Sequence, residues 1–134
     1  MSRKTFQYRL YPHRQQRERL QTTLDLCREL YNAALQERRD GYRTSQAKLN
    51  YYTQAKQLSE IKQVRPDVAS LHSQVLQDVL RRVDKTFQSF FLRVKRHQTP
   101  GFPRFRSRHR YNSFTYPQAG ERQLVRLFQL HRRT

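Results

Sequence analysis

Ten carboxylates, five histidines and one cysteine are among the side chains in this sequence that could act on a covalent bond. Cleavage of a phosphodiester by two metals needs several carboxylates converging on ions about 4 Å apart. Glu18, Asp25, Glu29, Glu37, Asp40, Glu60, Asp67, Asp78, Asp84 and Glu121 are instead spread along the chain, nearly all on helical stretches among Lys and Arg. Asp25–Glu29 and Glu37–Gly41 read as solvated helix faces, with Arg28, Arg38 and Arg39 as ordinary ion-pair partners. The histidines, at positions 13, 72, 97, 109 and 131, lack a paired ligand spacing. Cys27 is alone, which leaves no internal disulfide or Cys-rich zinc site, and it falls on an apolar helix face as a buried structural thiol. Three glycines cannot build a phosphate-cradling loop. Neither a metal nor a cofactor is expected, and these residues point to binding without catalysis.

The chemistry the chain does carry lies in Arg93–Tyr116, RVKRHQTPGFPRFRSRHRYNSFTY. Arg93, Lys95, Arg96, Arg104, Arg106, Arg108 and Arg110 follow one another without a single acid. Fixed charge of one sign repels itself until a polyanion neutralises it, so these seven are the candidate phosphate contacts. Phe102, Phe105 and Tyr111 sit among them. Aromatic faces can stack on unpaired bases or anchor the arm. A solvated basic linker is the plainer reading, but disordered linkers are depleted in aromatics. Residues 93–134 hold eleven of the 28 Lys and Arg but only Glu121 of the ten acids. A net charge of +18 and a pI near 11.2 belong to the nucleic-acid-binding range.

Elements that could position this arm are legible from periodicity. Lys4–Leu10 alternates as a half-buried strand and needs a partner, for which the only comparable segments follow Tyr111. Leu20, Leu24, Cys27, Tyr31 and Ala34 mark a helix over about 14–43, broken or bent if not continuous. Asn50 caps a second helix over 51–63, and Pro66 breaks the chain after it. Leu76, Leu80, Val83, Phe87, Phe90 and Val94 mark a third helix over about 72–97. Pro100, Gly101 and Pro103 predict a tight corner at Thr99–Pro103, then an extended arm into Ser113–Tyr116, and Leu124–Leu130 is a further strand candidate. One domain of α+β class follows, predominantly helical, with no apolar leader and no run long enough to span a membrane. A soluble, cytoplasmic protein is expected.

Several stretches taken together resemble one family. FQYRLYPHRQQRERL, CRELYNAAL, LQDVLRRVDKTFQSFFLRVKR and GFPRFRSRHRYNSFTYP follow in the order and spacing of the amino-terminal region of TnpB proteins, also called OrfB. These are insertion-sequence, transposase-associated proteins related to type V CRISPR effectors. The resemblance covers roughly Lys4–Pro117, and GFPRF followed by SFTY is its most specific part. It implies a wedge-type strand at 1–11, a helical, helix-turn-helix-like recognition lobe at 12–98, and a basic arm with wedge-type strands at 99–134. The three helices would thus be flanked by amino- and carboxy-terminal strands of an incomplete β-barrel. Implied partners are DNA and a structured guide RNA, with target sequence read mainly by base pairing. Carried over by position, Tyr51, Gln77 and Thr115 would contact a short target-adjacent DNA motif, while Ser73 and Gln74 depart from the family pattern. The family's RuvC-like nuclease domain and zinc finger do not fit after Tyr116. A truncated copy, ended by a frameshift or stop, is therefore expected, with a separately encoded nuclease half as a further candidate partner. Two other readings stand beside this one: an autonomous helix-turn-helix DNA-binding regulator, and a basic RNA-binding protein.

Overall fold

The computed structural model describes residues 4–9, 13–44, 49–98, 101–118 and 121–126, with side chains from 13 to 115 within those ranges. In chain order the elements are β1 (Lys4–Arg9), α1 (Arg14–Thr44), α2 (Tyr51–Ala55), α3 (Leu58–Val64), α4 (Pro66–Ala69), α5 (Ser73–Lys95), β2 (Ser113–Gln118) and β3 (Glu121–Arg126).

Two long helices carry the fold. α1 is a single unbroken helix of 31 residues, one residue longer than the apolar stripe predicts. Its buried residues Leu24, Cys27, Tyr31, Ala34 and Leu35 meet Leu76, Val79, Leu80, Val83, Phe87 and Phe90 of α5 in one core, which Tyr111 and Phe114 close. Each large side chain removed from water there contributes about 1.5–3 kcal/mol, so this seam outweighs any single polar contact among the described residues.

The expected fold class is corrected by the structure. Among the described residues there is no barrel, complete or incomplete, and the body of the protein is helical. The three strands form one open sheet of order β1-β3-β2, with β1 parallel to β3 and β2 antiparallel to it. Closing a barrel removes every edge, whereas three strands of six residues leave two edges and enclose nothing. Helix boundaries differ as well. The segment expected at 51–63 is two helices, because Gln57 turns its N–H to the Gln54 carbonyl (3.1 Å) in a tighter turn than the α-helix uses. α4 adds a turn at Pro66, and α5 runs over 73–95 rather than 72–97.

The ends of these helices are chemically specified. Asn50 accepts from the Thr53 N–H at 3.0 Å while the Thr53 hydroxyl accepts from the Asn50 N–H at 2.9 Å, a reciprocal cap. At the far end of α5, the Gln98 N–H bonds the Arg93 carbonyl and the His97 N–H bonds the Val94 carbonyl. This is the Schellman closure, and it places His97 at φ 55°, a left-handed position usually given to glycine. Gly101 meets nothing within 4 Å of an added Cβ, so the reversal out of α5 rests on a histidine. Thr99 and Pro100, two of the five residues of the expected corner, lie outside the described residues.

Polar contacts then fix the helices on one another. The buried Arg38 guanidinium donates to Asp84 on α5 at 2.7 Å and to Gln54 on α2 at 2.8 Å, and the Gln54 amide donates to the Ala34 carbonyl at 2.9 Å. Arg65 clips Glu29 (2.7 Å) and Asp67 (2.8 Å), and its hydrogen bonds hold both carboxyls below their ordinary range. No described helix is long and apolar enough to cross a membrane.

Candidate nucleic-acid interface

The arm from Gly101 to Asn112 is not a free linker. It is laid along α1 and held at three points. Phe102 sits edge-on to Phe90, with centroids 5.2 Å apart, and 5.9 Å from Tyr42. Asn32 of α1 grips the arm's backbone twice, accepting from the Arg106 N–H at 2.9 Å and donating to the Arg106 carbonyl at 3.0 Å. Tyr111 is buried with its ring 5.8 Å from that of Tyr31. Its hydroxyl has no hydrogen-bond partner among the described residues, and burial pushes its pKa up against the opposing pull of Arg82. Of the three stacking candidates, then, Tyr111 is an anchor, Phe102 is half-buried, and Phe105 is 47 % exposed.

The seven cations of the arm and of the end of α5 are all exposed. Among the described residues only Arg108 has a carboxylate partner, Asp25, at 3.5 Å. Arg106 lies 5.5 Å from the Tyr31 ring. The nearby acids are committed elsewhere: Asp84 to Arg38, Asp78 to Arg82, and Glu29 and Asp67 to Arg65. Positive charge is therefore left uncompensated along one continuous stretch of chain, the condition under which a polyanion gains most from contact.

Of the three candidate motif contacts, Gln77 lies on α5, while Tyr51 on α2 and Thr115 on β2 touch the neighbouring α5 residues Arg81 and Arg82. Gln77 is exposed in the first turns of α5. One turn later the Arg81 guanidinium lies 4.2 Å from the Tyr51 ring, which is half-buried and packed on Tyr52. The next residue, Arg82, donates to the Thr115 hydroxyl at 3.0 Å and to the Ser113 carbonyl at 2.8 Å. Thr115 is buried, so its hydroxyl serves β2 and α5 and would reach a base only if Arg82 let go.

Arg39, expected from the sequence to be an ordinary ion-pair partner, and Arg43, which sequence reasoning passed over, belong to the same surface. Arg39 pairs with no carboxylate among the described residues, because Glu37 accepts from Gln57 and Asp40 accepts from Gln36. The Arg39 guanidinium instead sits 5.1 Å from the Phe102 ring and 5.0 Å from the Phe105 ring, with Arg43 5.7 Å from Phe102. The only signal available beforehand was the four-residue step from Arg39 to Arg43, which places both on one helix face. No group of three His, Cys, Asp or Glu among the described residues could hold a metal ion.

Comparison with known proteins finds a family match at the amino terminus. Residues 1–47 match the family model of the OrfB-type helix-turn-helix domain. In the structure that stretch contains β1 and α1. Over 108 residues the chain is 29% identical to a Streptomyces pristinaespiralis protein that bears the name of an RNA-guided DNA endonuclease. The alignment takes in 79% of this chain and 26% of that protein, so the chain spans about a quarter of the relative it matches. Together the family match and the aligned relative support an amino-terminal region similar to that of OrfB/TnpB-type proteins.

Proposed function

We propose that this chain is a nucleic-acid-binding part of an RNA-guided, OrfB/TnpB-type system, gripping DNA and a structured guide RNA through their phosphate backbones. Residues 12–98 act as the helical recognition lobe and residues 99–134 contribute the basic arm. The chain binds, and strand cleavage is left to a nuclease domain or separate polypeptide. Tyr51 and Gln77 face the target-adjacent DNA, where a glutamine can bond an adenine edge and a tyrosine can pack on a base or bond a phosphate.

One observation carries the reading: of seven cations along Arg93–Arg110, a single one has a carboxylate partner among the described residues. The experiment is the affinity of the protein for duplex DNA and for a structured RNA as salt is raised. With four to seven phosphates neutralised, the logarithm of affinity should fall against that of salt with a slope between about −4 and −6 on duplex DNA. Arg104→Ala should reduce that slope by about one. An affinity that does not change between low and moderate salt rejects the proposal.

A further inference from the structure

The seam between α1 and the arm carries a more specific feature than its charge. Arg39 is held with its guanidinium about equally far from two rings, 5.1 Å from Phe102 and 5.0 Å from Phe105. Its Nε is buried and meets no acceptor. A guanidinium fixed in this way has already given up most of its rotamer freedom, so a bond to an incoming oxygen loses less entropy than one from a free arginine. Arg43 approaches the same Phe102 ring at 5.7 Å, and Arg104 follows on the arm, exposed. No carboxylate among the described residues pairs with Arg39, Arg43 or Arg104.

We infer that Arg39, gripped by Phe102 and Phe105, is a preset phosphate clamp for an unpaired strand of nucleic acid, with Phe105 as the stacking face beside it. The inference deepens the nucleic-acid reading above and rests on it. Duplex and single strand present the same phosphates but not the same bases. A duplex keeps its base faces stacked on one another, whereas an unpaired strand offers each face to an exposed ring. Phe105 is 47 % exposed, and Tyr42 and Phe91, 5.8 Å apart, are each 45 % exposed, Tyr42 lying 5.9 Å from Phe102. Aromatic area left open between unpaired cations complements a strand that carries both phosphates and free bases. A duplex backbone would use only the charge.

The test measures binding of the whole chain to three probes of twelve nucleotides: oligothymidylate, oligouridylate and a DNA duplex. Phe105→Leu keeps the apolar bulk and removes the ring face. It should weaken both single strands by about fivefold to a hundredfold and change duplex binding by less than about twofold. Arg39→Lys keeps the charge and loses the planar fit, so it should weaken the single strands at least about fivefold with the salt slope unaltered. The tighter of the two single-stranded probes identifies the natural source as DNA or RNA. Melting midpoints of both variants within a few degrees of the parent exclude unfolding as the cause, and since either substitution alone carries the prediction, one well-folded variant suffices. If either folded variant binds the single strands like the parent, or loses duplex affinity equally, the clamp is refuted while the nucleic-acid reading survives. Failure of the parent to bind any probe in a salt-dependent way defeats both together.

Discussion

Arg38 offers the sharpest test of how this helical body is held. Its side chain is 5 % exposed and that of Asp84 19 %, and they meet at 2.7 Å across α1 and α5. Truncation by Arg38→Ala strands two groups at once: the Asp84 carboxylate and the Gln54 side-chain Oε1, which accepts from the Arg38 Nε–H at 2.8 Å. Breaking a buried ion pair from one side costs about 3–5 kcal/mol, and an orphaned buried acceptor about 1–3 kcal/mol. Here Asp84 keeps a 2.8 Å bond from Gln88 and some contact with water, which places the sum near the lower end. A loss of about 4 kcal/mol follows, which for a chain of this length lowers the melting temperature by roughly 10–20 °C. Replacing both partners by apolar side chains, as in Arg38→Met with Asp84→Leu, removes the stranded charge and should recover at least about 2 kcal/mol over the sum of the singles. Urea unfolding followed by circular dichroism completes the cycle. A single substitution that loses less than about 1 kcal/mol, or a double that loses the sum of its parts, refutes the reasoning.

Two further outcomes are expected. His97→Gly should raise stability by about 0.5–1 kcal/mol in the same assay, because a left-handed residue with a Cβ is strained and glycine is not, partly offset by glycine's freedom in the unfolded chain; a decrease would contradict the closure described for α5. Burial raises the Cys27 thiol from its ordinary 9.0 to about 12. Its protonated form belongs to the folded state, so this contribution to stability is fully present below pH 9 and is lost as pH rises towards 12. At pH 8 the native protein should therefore resist a thiol-specific disulfide reagent and react promptly only in denaturant, and rapid labelling of the native form would refute the burial.

What could be read from the sequence, and what could not, divides by the range of the forces involved. The stripes Leu24–Cys27–Tyr31 and Leu76–Leu80–Val83 announce α1 and α5 because helical burial repeats every three or four residues, and the Asn50 cap is visible because its partner is three residues away. Arg38 and Arg39 look alike from their neighbours, one beside Glu37 and the other beside Asp40. Yet one reaches Asp84 and Gln54 while the other rests on Phe102 and Phe105, partners set by how α1 and α5 cross. Glycine at 101 suggested the turning point, although the left-handed residue is His97, whose conformation follows from the closing hydrogen bonds of α5 and not from its own preference. The barrel failed for a global reason, since strand periodicity marks a strand but says nothing about how many strands will pair or whether an edge stays open. Tyr111 is a stacking candidate because it is aromatic and Thr115 a motif contact only by its position in the family pattern, while their burial depends on Tyr31 and Arg82, both distant in sequence.

Pinned at Phe102, Arg106 and Tyr111, the arm has no slack. Surface segments ordinarily absorb an added or missing residue with little effect. Here a single insertion between two of those pins would carry the cationic and aromatic side chains beyond it out of phase with α1, so variation among related chains should arrive in this stretch as substitutions and hardly ever as changes in length.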